Sequence, residues 1–184
     1  EVPAGEPTAV AGRWAPAPGR RLFAAVRRAL GDVPLVAEDL GVITPEVNAL
    51  REEFGFPGMA ILQFAFDARE AGGFDGLNRF LPHNHRERSV VYTGTHDNDT
   101  TVGWWAGRTP AERARVAEYI GGEPSDVPAA FIRLAMASVA RWAVVPMQDV
   151  LGLGPEARMN RPATGSGNWR WRVDGKAFTS ERVR

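Results

Sequence analysis

The sequence predicts an α/β fold: the second half of a (β/α)8 barrel, with parallel strands ending in catalytic residues. Three features point there. Strand-like runs are near-continuously apolar and do not alternate, the pattern of parallel strands covered on both faces. Helical segments separate most of them, as parallel strands require. Each run finishes in reactive polar residues, and in parallel barrels such groups gather at the carboxyl ends of strands. Four such runs cannot close a barrel, which takes eight strands and about 250 residues. Residues 1–184 are therefore expected to be the C-terminal half of a (β/α)8 catalytic domain, with the first half upstream of Glu1.

The opening 19 residues are rich in proline and glycine and read as an extended loop anchored by Trp14. "RRLFAAVRRAL" carries Leu22, Phe23, Val26 and Leu30 at helical spacing, and Gly31 stops it. "VPLVAEDLG" is the first strand-like run and ends in Glu38 and Asp39. The next helix has Thr44 as N-cap, Pro45 at its first position, Glu46 close behind and Gly55 as its stop. "MAILQFAFD" is the second run, with Gln63 and Asp67 toward its end, and "VVYTGTHDNDT" opens with the third. "TPAERARVAEYI" and "PAAFIRLAMASVARW" read as two helices, and "AVVPMQDVLGLG" as a fourth strand ending in Gln148 and Asp149.

Composition narrows the function. Lysine plus arginine equals aspartate plus glutamate at 22 each, so no net field favours nucleic acid or an anionic membrane. There is no cysteine, hence no disulfide framework, thiolate metal site or thiol nucleophile. The longest apolar stretch is interrupted by Arg133 and Arg141, against a membrane span. No basic-then-apolar leader opens the chain, and a cytoplasmic location is expected. The first residue is Glu1 and not Met, as in a chain cut from something longer.

Two clusters carry chemistry. In "VAEDLG", side chains alternate, so Glu38 and Asp39 point to opposite faces. With Glu38 toward the barrel axis it can serve as proton donor or base, while Asp39 packs outward or caps a loop. The residue types alone leave open that both are solvated loop carboxylates. In "GTHDND", His96 can donate to a ligand hydroxyl and Asp97 can stabilise a developing cation, while Asn98 and Asp99 can cap the helix starting near Thr100. The spacing matches no standard zinc or calcium pattern, and no metal or other cofactor is expected. Six tryptophans add a third signal. Flat aromatic faces beside Asp, Asn, His and Arg suit the apolar faces and polar edges of a sugar; core packing is the alternative, foremost for Trp142 and Trp104. "MNRPATGSGNWRWR" is either a binding loop or a tail docked on the sheet, and binding is expected.

"EVPAGEPTAVAGRW", "VAEDLGVITPEV", "FGFPGMAILQFAFD", "LPHN", "VVYTGTHDNDTTVGWW", "PMQDVLGLG" and the Asn-Trp-Arg-Trp-Arg ending resemble, in order, the 4-α-glucanotransferases called amylomaltases, glycoside hydrolase family 77 of the α-amylase clan. Only the helices around residues 110–140 are uninformative. The resemblance implies a (β/α)8 enzyme that cuts an α-1,4-glucan, holds the donor part as a covalent glycosyl-enzyme and passes it to glucose or a maltooligosaccharide. The family's acid/base glutamate falls on Glu38, its transition-state-stabilising aspartate on Asp97 and its sugar-contacting histidine on His96. The nucleophilic aspartate belongs to an Arg-x-Asp-His type motif absent from this sequence, so the chain alone is expected to be inactive. Asn98, Gln63, Asp149, Asn168 and Trp169 are the further expected sugar contacts. His85 stands where the family usually has an aromatic residue, and Ala163 where it has glycine; both bear on subsite contacts and not on the chemistry. Two rival classes remain: a non-catalytic glucan-binding module, and a metal-dependent hydrolase using Glu38, His96 and Asp97.

Overall fold

The computed structural model describes residues 1–67 and 76–177. The chain forms two compact units: residues 1–35 with 42–56, and residues 36–41 with the described part of 57–184.

The first unit is built on two helices, α1 (Gly19–Leu30) and α2 (Pro45–Glu53). Both follow the sequence signals. Gly31 ends α1 at φ 73°, and Thr44 caps α2 by accepting from Val47 N–H at 3.4 Å. Gly19 lets Leu50 pack close, since a Cβ there would lie 2.6 Å from Leu50 Cδ2. Phe23 packs against Phe54 and Phe56 at ring distances of 5.5 and 4.9 Å, and Arg20 chelates Glu53. One expectation needs correction: Trp14 is 68% exposed instead of anchoring its loop.

The second unit holds a parallel three-stranded sheet in the order β1 (Gly58–Ile61), β2 (Ser89–Tyr92), β3 (Trp142–Val144). The register pairs Gly58 with Ser89 and Val90 with Trp142. Ile61 and Val91 are fully buried, as the unbroken apolar runs require. The expected strand at residues 33–41 does not form. Opposite it, Pro57 has no N–H to give, and Met59 N–H donates to the Asp39 carboxylate at 2.8 Å instead of to a main-chain carbonyl. Ala37 N–H to Pro57 O, at 2.9 Å, is a ladder bond without a ladder.

The expected second and fourth strands are shorter than their apolar runs. After Ile61 the chain coils into α3 (Leu62–Ala65), where Asn78 Nδ2 satisfies the Phe64 carbonyl at 3.1 Å. The strand at 142–144 stops before Pro146. Three further helices separate β2 from β3: α4 (Thr101–Ala106), α5 (Pro110–Ile120) and α6 (Val127–Met136). A fourth, α7 (Met147–Val150), follows Pro146. A capping box between Thr109 and Glu112 starts α5. Its bond from Thr109 N–H, aided by the Thr109 hydroxyl and Arg108, holds the Glu112 carboxyl below the usual range. The helix expected over 128–142 ends at Met136 because Arg141 N–H is drawn to the carbonyls of Glu87 and Ser89, at the start of β2.

Phe131 on α6 is the hub of the core, meeting Phe66 and Trp104 at 5.9 and 5.2 Å. Truncating such a ring typically costs about 3–5 kcal/mol. Trp104 is core, as expected; Trp142 is 45% exposed on the edge strand, contrary to expectation. His85 is buried at the end of the "LPHN" turn, where its Nε2–H donates to Phe80 O at 2.8 Å and its Nδ1 bonds Ser138 Oγ at 2.7 Å. It ties that turn to the end of α6 and does not line the cavity described next.

Candidate active site

The segment 36–41 and the loops after β1, β2 and β3 enclose a cavity of about 720 Å³. That is the size range of small-molecule pockets. Met59, Phe64 and Tyr92 supply apolar lining; Glu38, Thr95, His96, Asp97 and Asn98 supply polar groups.

Glu38 reaches this cavity because its neighbour is pinned. Asp39 is 5% exposed, accepts from Met59 N–H and stands 3.4 Å from Arg79. Gly58 leaves room for it: a Cβ there would be 2.4 Å from Asp39 Oδ2. With Asp39 locked inward, alternation turns Glu38 to the exposed face.

The loop after β2 is shaped by its own side chains. Asn98 Oδ1 accepts from both the N–H and the hydroxyl of Thr95, each at 2.8 Å, and Asp97 N–H donates to Thr95 Oγ1 at 3.3 Å. This turn lifts His96 and Asp97 into the cavity. Gly94 permits it, since a Cβ would sit 2.7 Å from Gln63 Nε2. Thr100, and not Asn98 or Asp99, caps α4, accepting from Gly103 N–H at 3.1 Å. His96 Nε2 lies 3.4 Å from Asp97 Oδ2, and its ring is 5.0 Å from that of Trp169.

Beneath the loop lie two residues expected to touch sugar. Gln63 is 1% exposed and donates to Asp99 O at 2.9 Å. Asp149 is 2% exposed and accepts from Thr93 Oγ1, Thr101 N–H and Thr101 Oγ1 at 2.5, 2.7 and 2.8 Å. Both are buried and hydrogen-bonded inside the protein, where they brace the two stems of the loop. Asn168 likewise accepts from Arg161 N–H at 3.0 Å and donates to Thr164 O at 3.2 Å, closing its own loop. Asp67 points away from the cavity, into an ion cluster with Arg108 and, through it, Glu112. Burial raises the Tyr92 hydroxyl above its ordinary value, keeping it a neutral donor in the wall. No group of three or more His, Cys, Asp or Glu among the described residues is placed to hold a metal ion.

The sequence singled out the loop 159–172, Asn160 and the adjoining Arg158 included, but not the partner that these two hold. Asn160 Nδ2 donates to Asp97 Oδ1 at 2.6 Å, and Arg158 Nη2 to Asp97 O at 2.6 Å. Separations of 63 and 61 residues leave no local signal of that pairing.

A parallel α/β sheet with a cavity beyond its carboxyl edge, lined by a glutamate, an aspartate and a histidine, defines the class: α/β proteins that carry their active site on that edge. Within that class, the chain belongs to the 4-alpha-glucanotransferase family, glycoside hydrolase family 77, whose family model matches residues 1–178. The 4-alpha-glucanotransferase of Thermus thermophilus is 57% identical over 182 residues, covering 94% of this chain and 35% of that protein. That of Synechocystis is 55% identical over 174 residues, covering 93% and 33%. The structure of amylomaltase from Streptococcus agalactiae in complex with acarbose matches with a TM-score of 0.86 at 36% identity, covering 97% of this chain and 35% of that one. The chain thus spans about a third of the length of these relatives. No helix among the described residues is long and apolar enough to cross a membrane.

Proposed function

We propose that this chain forms part of a retaining 4-α-glucanotransferase, supplying the acid/base and transition-state-stabilising groups of its active site. One observation carries the reading: Glu38 and Asp97, from segments 59 positions apart in sequence, line the same cavity at the carboxyl edge of a parallel sheet. The sheet and its helices are, on this reading, the second half of a (β/α)8 barrel, and the nucleophilic carboxylate lies outside these 184 residues.

The chemistry follows by residue. As the external nucleophile forms its bond to the anomeric carbon, the glycosidic oxygen leaves and takes a proton from Glu38. Glu38 then removes the proton of an acceptor sugar hydroxyl as that oxygen displaces the nucleophile. A retaining mechanism requires the nucleophile about 5–5.5 Å from Glu38. Asp97 holds ring hydroxyls and offsets positive charge on the flattened ring; His96 donates to a hydroxyl. Met59, Phe64 and Tyr92 give the sugar an apolar face to rest on, and Trp169 beside His96 helps an acceptor exclude water. Donor and acceptor are an α-1,4-glucan and glucose or a maltooligosaccharide, handled in the cytoplasm.

In the full-length protein, Glu38→Gln should lower turnover of maltotriose into longer and shorter glucans by at least about a thousandfold. Maltooligosaccharide binding should persist. Unchanged turnover refutes the assignment.

A further inference from the structure

We infer that Asn160 is a positioning residue for Asp97, fixing the plane of its carboxylate relative to the sugar. This rests on the reading of Asp97 as the transition-state stabiliser.

The Asp97 side chain is about half exposed, at 52%, so packing does not hold it. Its last torsion is intrinsically broad, so the carboxylate plane has no strongly preferred orientation of its own. Something else must set the orientation if the carboxylate is to meet developing charge within about 0.5 Å of its productive place. Asn160 supplies it. Its Nδ2 donates to Oδ1 at 2.6 Å, which leaves Oδ2 on the side of His96, 3.4 Å from Nε2. A neutral amide does this without cancelling the charge that stabilises a cation, as a guanidinium on the same oxygen would.

The main chain that carries this amide is itself held. Asn160 N–H donates to His96 O at 3.1 Å, and the Asn160 carbonyl accepts from Arg158 Nε at 2.7 Å. Arg158 spends Nη2 on Asp97 O and sets Nη1 3.6 Å from the Asp99 carboxylate. It therefore clamps the main chain of the loop while Asn160 turns the side chain. Buried Gln148 anchors the start of this strap, donating to Ala157 O at 3.1 Å. The strap thus links α7 to Asp97, with a hydrogen bond at each end.

The test uses the full-length protein and three variants, Asn160→Ala, Asn160→Asp and Asp97→Asn. Loss of a hydrogen bond to a charged group predicts that Asn160→Ala lowers kcat on maltotriose about ten- to a hundredfold, with KM changed less than about threefold. Asn160→Asp, isosteric but repelling Asp97, should lower kcat further. A second measurement reads positioning without turnover. Calorimetric titration with deoxynojirimycin, a cationic sugar-ring mimic, should show affinity reduced about tenfold or more in Asn160→Ala, while binding of neutral maltotriose stays within about twofold. Equal weakening of both ligands, or of neither, overturns the positioning role. So does unchanged kcat in Asn160→Ala beside lost turnover in Asp97→Asn, and that result leaves the proposed function standing. Retained turnover in Asp97→Asn overturns the parent reading and this one with it.

Discussion

Asp149 offers the sharpest test of how the loop bearing His96 and Asp97 is held. Its carboxylate is 2% exposed, and the three groups that donate to it are neutral: Thr93 Oγ1, Thr101 N–H and Thr101 Oγ1. Thr93 and Thr101 are fully buried and stand on the two sides of the loop, so one carboxylate ties both stems. In Asp149→Ala the Thr101 N–H is orphaned and cannot reorient, at a cost of about 1–3 kcal/mol. The two hydroxyls lose an acceptor in a dry site, at about 1 kcal/mol each after rotation. The sum is about 3–5 kcal/mol, a large share of the roughly 5–15 kcal/mol that holds a typical domain folded. Asp149→Asn behaves differently. Its Oδ1 still accepts from Thr101 N–H, and its Nδ2 donates to hydroxyls that turn to accept. It also removes a buried charge, so the net cost should be about 1 kcal/mol. Urea unfolding followed by tryptophan fluorescence reads the difference. With a slope of about 2 kcal/mol/M, Asp149→Ala should lower the midpoint by about 2 M and Asp149→Asn by about 0.5 M. An alanine variant within about 1 kcal/mol of wild type, or an asparagine variant as damaged as alanine, refutes the bracing role.

Two further outcomes follow from backbone and burial. Ala163 sits at φ 62°, a left-handed conformation that suits glycine, so Ala163→Gly should raise stability by about 0.5–1 kcal/mol in the same urea measurement. His85 is pushed below the ordinary histidine value chiefly by burial, against the raising effect of its bond to Phe80 O. Because its folded value is the lower, the unfolded chain binds more protons in between. Its contribution is complete above about pH 6.5 and is lost as pH falls through the folded value. Stability of wild type measured against pH should therefore decline below about 6.5 more steeply than that of His85→Phe.

Much of the local structure was legible from neighbouring residues. Thr44 with Pro45, and Gly31, each mark a helix end by satisfying or ending main-chain hydrogen bonds within a few positions. Apolar runs located three of the four expected strands, and residue types alone single out Glu38, His96, Asp97 and Asn98. What failed were the strand at 33–41 and the lengths of two others. "MAILQFAFD" and "AVVPMQDVLGLG" look like unbroken strands, but a strand persists only while a partner ladder runs beside it. Asn78 captures the Phe64 carbonyl in one case and Pro146 withholds an N–H in the other.

By itself the sequence determined the order of elements, the helix caps and which side chains carry chemistry, because each depends on residues a few positions apart. Only the tertiary structure decided which of them meet. It sank Gln63 and Asp149 under the loop, turned Glu38 outward by pinning Asp39, and brought Asn160 across 63 residues to the Asp97 carboxylate. Those choices are made by competition among buried donors and acceptors, each of which must find a partner once water is excluded, and the partner need not be near in the chain.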